Sequence, residues 1–303
     1  MVSYTVRKLL IKVEERDMSE RVIHCFNWNL KYVEEQLIII KEQGFTAIQL
    51  SPMQDHKKGN EWWKRYQPTN FKIGNDLGSK EDLIRLCNKA NGLGLKIIVD
   101  VVGNNVAGLD NGEIYPHEDV KIPLEYFKPF KKVEGWEDRQ DYITNSIGIP
   151  CLDTRLHEVQ ELIFNYIDEL IECGVKGVRM DASKHIALPS EGSDFWINFK
   201  DRFGNKDMFN YGEVIFEKQN IIDEYAQYIN VLTNMSHWDR NKVVTFAFSH
   251  DSDETFFYTK HMNDDMCINE YRIVCENFPN SVWYCRPFNN TWIDKRIKEA
   301  NLK

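Results

Sequence analysis

Short apolar runs alternate with amphipathic stretches along the chain. Runs rich in β-branched residues occupy 22–26, 46–50, 95–102, 174–180, 208–214, 229–233, 243–248 and 281–285. Between most of them, apolar residues recur every three or four positions, which predicts helices over 30–43, 80–93, 159–172, 194–202, 219–228 and 263–276, with a last helix over 292–301. Near-continuous apolar strands separated by helices belong to a parallel sheet buried on both faces. Eight of them predict an α/β fold of the closed (β/α)8 TIM-barrel type. Two irregularities interrupt the alternation. Residues 103–153 are rich in Gly, Pro, Asp and Asn and read as a small subdomain inserted after the third strand. Residues 234–242 are too few for a full crossover helix, so the helix between strands six and seven is predicted to be reduced. The expected division is therefore barrel over 1–102, inserted subdomain over 103–153, and barrel again over 154–303.

Composition narrows the function classes. The net charge of −9 argues against a nucleic-acid partner, which calls for a basic face. With 42% hydrophobic and 13% aromatic residues, the chain has material for a sizeable core and is not of the disordered class. No apolar stretch approaches the ~18–20 residues of a membrane span, so no membrane partner is expected. The N-terminal stretch lacks an apolar signal-like segment before Glu14, which favours a cytoplasmic location, a secreted mature form being the alternative. Seven cysteines without a CxxC pair fit reduced thiols better than a disulfide framework. Oligomeric state is not legible.

The candidate chemistry lies where the apolar runs end. In a barrel, residues at the C-terminal ends of strands line the active site. The third run carries Asp100 near its end and is followed by Asn104-Asn105, and the fourth contains Arg179 and is followed by Asp181. The fifth ends at Glu213, and His250-Asp251 follow the seventh. A single Asp after a strand is usually a helix cap. Several carboxylates converging on one barrel mouth repel one another, and retaining glycoside hydrolysis is a chemistry that uses them. Arg179, two residues before Asp181, points to the same face of its strand and is placed to hold that carboxylate ionised. Metal-assisted hydrolysis is the competing use of such groups, but there is no HExxH-type ligand pair.

These four segments resemble the α-amylase family, glycoside hydrolase family 13. So do residues 45–52 (Phe-Thr-Ala-Ile-Gln-Leu-Ser-Pro), Trp62-Trp63 with Tyr66-Gln67-Pro68, and Trp283-Tyr284-Cys285-Arg286-Pro287. The resemblance runs from about Val22 to Pro287, and the WW-x-x-YQP segment is nearest to the bacterial type. It implies an endo-acting, retaining hydrolase of α-1,4-glucans such as starch, glycogen or maltooligosaccharides. Asp181 would be the nucleophile, Glu213 the general acid/base and Asp251 the third carboxylate. Arg179 would orient Asp181, and His250 would donate to sugar hydroxyls. Tyr66 would stack on the sugar, Lys184 and His185 would line the leaving-group side, and Asp100 would support the site. A glucan-binding protein without turnover and a 4-α-glucan transglycosylase are the alternatives.

Four departures from the family pattern matter. Asn105 stands where the family has a His that contacts the sugar; it keeps a hydrogen bond but not a positive charge. The family's structural calcium would be held by Asn104 and the carbonyl of His185. Cys151, however, replaces the expected Asp ligand, and a thiol is a poor partner for calcium. No cofactor is needed for the chemistry itself. Ser249 replaces an Asn of the family's chloride site, so chloride is not expected even though Arg179 and Arg286 are present. The family's C-terminal β-sandwich is expected to be absent, because little sequence follows Pro287.

Overall fold

All eight predicted strands form, and they close on one another. A computed structural model describes residues 19–204, 207–233, 242–246, 249, 263–277, 281–285 and 290–303. The barrel strands are β1 (Arg21–Cys25), β2 (Ala47–Leu50), β3 (Lys96–Val101), β4 (Gly177–Met180), β5 (Tyr211–Glu213), β6 (Asn230–Thr233), β7 (Val243–Phe246) and β8 (Ser281–Tyr284). Each pairs in parallel with its neighbours in chain order, and β8 closes against β1 with Arg21 opposite Val282. Two further hydrogen bonds finish that seam: Val282 N to Glu20 O at 2.9 Å and Glu20 N to Ser281 Oγ at 2.8 Å.

The period-2 alternation of the strands sorts their side chains into two cores. Val22, Ala47, Ile98, Tyr211, Leu232, Val244 and Trp283 fill the barrel interior. Their neighbours Ile23, Ile48, Ile97, Val99, Val178 and Met180 point outward and pack against the helices. The described helices are α1 (Leu30–Glu42), α2 (Lys80–Gly92), α3 (Arg139–Thr144), α4 (His157–Glu172), α5 (Phe195–Phe203), α6 (Gln219–Tyr225), α7 (Asp264–Asn277) and α8 (Lys295–Asn301), of which α3 stands apart in the segment between β3 and α4. All seven cysteines are buried thiols. Among the described residues no helix is long and apolar enough to cross a membrane.

Several boundaries differ from the sequence expectation for identifiable reasons. Strand β4 starts at Gly177 rather than 174, because Gly174 at φ +96° closes the end of α4. The predicted helix over 292–301 is split, because the Asp294 side chain accepts from Arg296 N and begins a new helix there. An antiparallel hairpin of Gln54–His56 with Pro68–Ile73 was not foreseen, since Gln-Asp-His carries no apolar alternation. It holds a 3-10 turn, Trp62–Tyr66, over the barrel mouth. Residues 234–241, most of the short link between β6 and β7, lie outside the described residues.

The segment between β3 and α4 is held to the barrel both by apolar packing, with Val106, Ala107, Val120, Phe127 and Leu152 joining the main core, and by polar stitches. Val133, Tyr142 and Ile143 form a small apolar cluster with Ala187 of the barrel. Arg139 at the start of α3 donates to Glu191, to the Tyr225 hydroxyl at 2.9 Å and to the Lys184 carbonyl at 2.9 Å. One guanidinium thus joins the inserted segment to the loop after β4 and to α6.

Candidate active site

The inward positions of adjacent strands assemble a charge cluster at the barrel mouth. Asp100 of β3 lies in register with Arg179 of β4, and Arg179 with Tyr211 of β5. Arg179 Nη1 donates to Asp100 Oδ1 at 2.8 Å and to Asp181 Oδ1 at 2.6 Å, while Nη2 lies 2.6 Å from Glu213 Oε1. Asp100 also accepts from the Tyr66 hydroxyl at 2.9 Å and faces Gln49 Nε2 at 3.5 Å. Gln49 in turn accepts from the Tyr211 hydroxyl. The arginine and Asp100 are sealed from solvent, whereas the side chains of Asp181 and Glu213 are 13% and 18% exposed. Asp181 and Glu213 can therefore reach a substrate, and Asp100 can only support them.

Three carboxylates share this guanidinium, so the fully ionised cluster carries excess negative charge in a dry place. Burial pushes Asp100 up to about 6, against the pull of Arg179. Burial likewise drives Asp181 well above the usual Asp range; Arg179 opposes this, and the charges of Glu213 and Asp100 add to it. The cluster therefore keeps a proton to higher pH than isolated carboxyls would.

Trp62, Trp63, Tyr66, Asn105, Asp181 and Glu213 are among the walls of the cleft. Asn105 Nδ2 donates to the Tyr66 carbonyl at 2.9 Å, which steadies that ring beside Asp181. Ala182 sits at φ +49°, a left-handed conformation costing about 1–3 kcal/mol in a non-glycine residue. The turn aims its N–H at Glu213 Oε2, 3.0 Å away, and so fixes the second carboxylate. Next to the cleft is a second hollow, walled by Trp136, Arg139, Tyr142, Lys184, Phe216 and Glu217. Phe216 is 82% exposed there, at φ +61°. Lys184 reaches the carbonyl of Ile215 at 3.2 Å, at the edge of this hollow. The His185 ring is instead buried behind the wall, with Nδ1 3.2 Å from the Tyr142 carbonyl; burial pushes it down to about 3, so it is neutral.

The expected calcium ligands converge on a side chain. Lys128 Nζ donates to Asn104 Oδ1 at 3.0 Å and to the His185 carbonyl at 2.8 Å. Cys151 Sγ lies 3.4 Å from Asn104 Nδ2, and Asp153 is turned to Arg155 at 2.7 Å. Calcium takes six to eight hard oxygens, carboxylates among them. Two neutral oxygens already bonded to an ammonium, beside a thiol, do not fit it. Among the described residues no three His, Cys, Asp or Glu side chains form a metal-holding group.

The structure thus brings together Tyr66, Asp100, Asn105, Arg179, Asp181 and Glu213. Lys184 stands at the adjoining hollow and His185 behind it. His250 and Asp251 lie outside the described residues, as does Arg286, while Ser249 is buried. Sequence reasoning missed Gln49, Tyr211, Phe216 and Lys128. For Gln49 the signal was present: a polar residue at an inward position of an apolar strand.

The family described as "Alpha amylase, catalytic domain" matches residues 27–281. An alpha-amylase of Clostridium acetobutylicum is 32% identical over 283 residues, covering 80% of this chain and 37% of that protein. An alpha-amylase-related protein of Drosophila orena is 28% identical over 251 residues, covering 78% and 50%. The chain thus spans between about a third and a half of these relatives' length. The crystal structure of the Geobacillus thermoleovorans alpha-amylase, complexed with acarbose, superposes with a TM-score of 0.72 at 21% identity, over 93% of this chain and 77% of that one.

Proposed function

The chain belongs to the alpha-amylase catalytic-domain family, and from that premise we propose that it is a retaining, endo-acting glycoside hydrolase of α-1,4-glucans. The observation that carries this reading is the pair Asp181 and Glu213, held on the two terminal nitrogens of Arg179 at the wall of an aromatic cleft. Retaining hydrolysis needs two carboxyls about 5–5.5 Å apart on the two sides of one glycosidic bond. A shared guanidinium holds the two carboxylates side by side.

In the first step an Asp181 oxygen attacks the anomeric carbon and the bond to the leaving oxygen breaks. Glu213 gives its proton to that oxygen, so a free 4-hydroxyl departs. In the second step Glu213 takes a proton from water, whose oxygen displaces Asp181 from the anomeric carbon and restores both carboxyls. Asp100 and Tyr66 hold Arg179 and the cleft wall in place, and Asn105 offers a neutral hydrogen bond to the sugar. Lys184, Trp136 and Phe216 are suited to the departing glucan, the exposed aromatic faces serving as platforms for its rings. Asp251 and His250 complete the assignment as ligands of sugar hydroxyls. In this reading the barrel spans 1–102 and 154–303 and the subdomain 103–153 flanks its mouth.

Release of reducing ends from soluble starch by the purified protein, with Asp181→Asn as control, tests the reading. Release no greater than the control's would refute hydrolysis and leave a glucan-binding protein. Products longer than a maltooligosaccharide substrate would instead identify transglycosylation.

The cluster also sets a pH dependence. Asp181 must be ionised to attack, and its ionisation is displaced upward. Activity is therefore lost as pH falls through a range above the usual Asp value of about 3.9. Removing one of its like-charged neighbours with Asp100→Asn shifts that acid limb to lower pH in a profile of kcat/KM. An acid limb unmoved by this change would contradict the coupling.

A further inference from the structure

The convergence of two expected calcium ligands on Lys128 has a consequence for how the barrel mouth is built. Lys128 is 2% exposed, so its terminal nitrogen is buried with the rest of the side chain. Burying an ammonium is costly unless its donors are satisfied. Here they meet the side-chain oxygen of Asn104 and the main-chain oxygen of His185. Asn104 follows β3, His185 follows β4, and Lys128 belongs to the inserted segment. The ammonium therefore joins three segments distant in sequence. The backbone repeats the joint: Lys128 N donates to Cys151 O at 2.8 Å, and Leu152 N to Asn104 O at 2.7 Å.

We propose that Lys128 is a built-in cation that replaces the structural calcium, so that the inserted segment docks on the barrel without metal. The substitution at 151 belongs to the same change. A metal ligand set would need a carboxylate there, whereas a single ammonium between two neutral oxygens needs only a small, uncharged neighbour, which Cys151 supplies. The His185 peptide, held by Lys128, ends the 3-10 turn that starts just after Asp181 and Ala182. The internal cation thereby steadies the backbone that carries the proposed nucleophile.

Thermal melting of the full chain, with no activity readout, tests this directly. The melting temperature is expected to be the same in millimolar EDTA, in millimolar calcium chloride and in neither, and elemental analysis to find far less than one calcium per chain. A fall of several degrees in EDTA, or stoichiometric calcium, would overturn the proposal. Lys128→Met, which keeps the length and removes the charge, is expected to lower the melting temperature by at least about 5 °C, with no recovery in calcium. A Lys128→Met protein as stable as the parent would also refute it. The double change Lys128→Ala with Cys151→Asp vacates the ammonium and supplies a carboxylate, and is expected to make melting rise with calcium. If that protein folds and ignores calcium, the joint is not a metal-type site and the proposal fails.

Discussion

Asp181→Asn is expected to lower kcat on starch by about 10⁴-fold or more, while the protein stays folded. The amide keeps the shape of the side chain but cannot form the covalent intermediate. It also removes one of the carboxylates crowded on Arg179, so the melting temperature holds or rises; relief of like-charge repulsion at a functional site often has this effect. The partner residue fails differently. Glu213→Gln is expected to lose about 10²–10⁴-fold on glucans, where the leaving alcohol needs a proton. On an α-glucoside with a strongly acidic leaving group, formation of the intermediate needs no proton, and the loss in that step shrinks. Asp181→Asn has no such substrate dependence. Comparing the two variants on both substrates assigns the roles, and equal losses on both substrates for Glu213→Gln would rule out its role as acid.

The second large effect belongs to Arg179. Arg179→Met leaves Asp100, Asp181 and Glu213 facing each other with their shared guanidinium gone. Removing one member of a buried ion pair costs about 3–5 kcal/mol. The penalty depends on pH in a defined direction. Burial already raises Asp100 to about 6 and Asp181 further than its ordinary value, and without Arg179 both rise again. Carboxyls whose folded-state values are raised stabilise the native state only while protonated, and that stability is lost as pH rises from the unfolded values through the folded ones. Urea unfolding of Arg179→Met should therefore show a modest deficit at pH 5 and a large one at pH 8. A pH-independent deficit would mean that packing, not charge, explains the loss. Arg179→Lys restores charge but not the fork that spans Asp181 and Glu213, so it is expected to recover stability more than activity.

Much of this site was legible from the order of residues because charge is so rarely placed at the end of an apolar strand. Asp100, Arg179 and Glu213 each follow or interrupt a run that must be buried on both faces, and the barrel brings those run ends together. The strands themselves were readable for the same reason, since their inward and outward residues are both apolar. Lys128 was not readable. It stands in Tyr-Phe-Lys-Pro-Phe, inside an inserted segment with no period, and its significance comes from Asn104 and His185, which the chain brings to it from both sides in sequence. Ala182 was silent too: nothing in Asp-Ala-Ser announces a left-handed residue, and the demand for it comes from Glu213 on the next strand. The hairpin that carries Tyr66 has one short polar strand, Gln54–His56, and is held down by Phe71 and Ile73 of the other, so it is specified by what it covers.

The seam between β1 and β8 sets an order on how the protein is made. Strand β1 leaves the ribosome first, yet one of its two hydrogen-bonding edges has no partner until Val282 and its neighbours emerge about 260 residues later. At a synthesis rate of about 5–20 residues per second, that edge stays open for roughly a quarter of a minute to a minute. During this interval a nascent chain displays an unpaired apolar strand, the kind of surface on which chains associate wrongly. The barrel closes only after synthesis of β8, long after β3, β4 and β5, which carry Asp100, Arg179 and Glu213, have emerged.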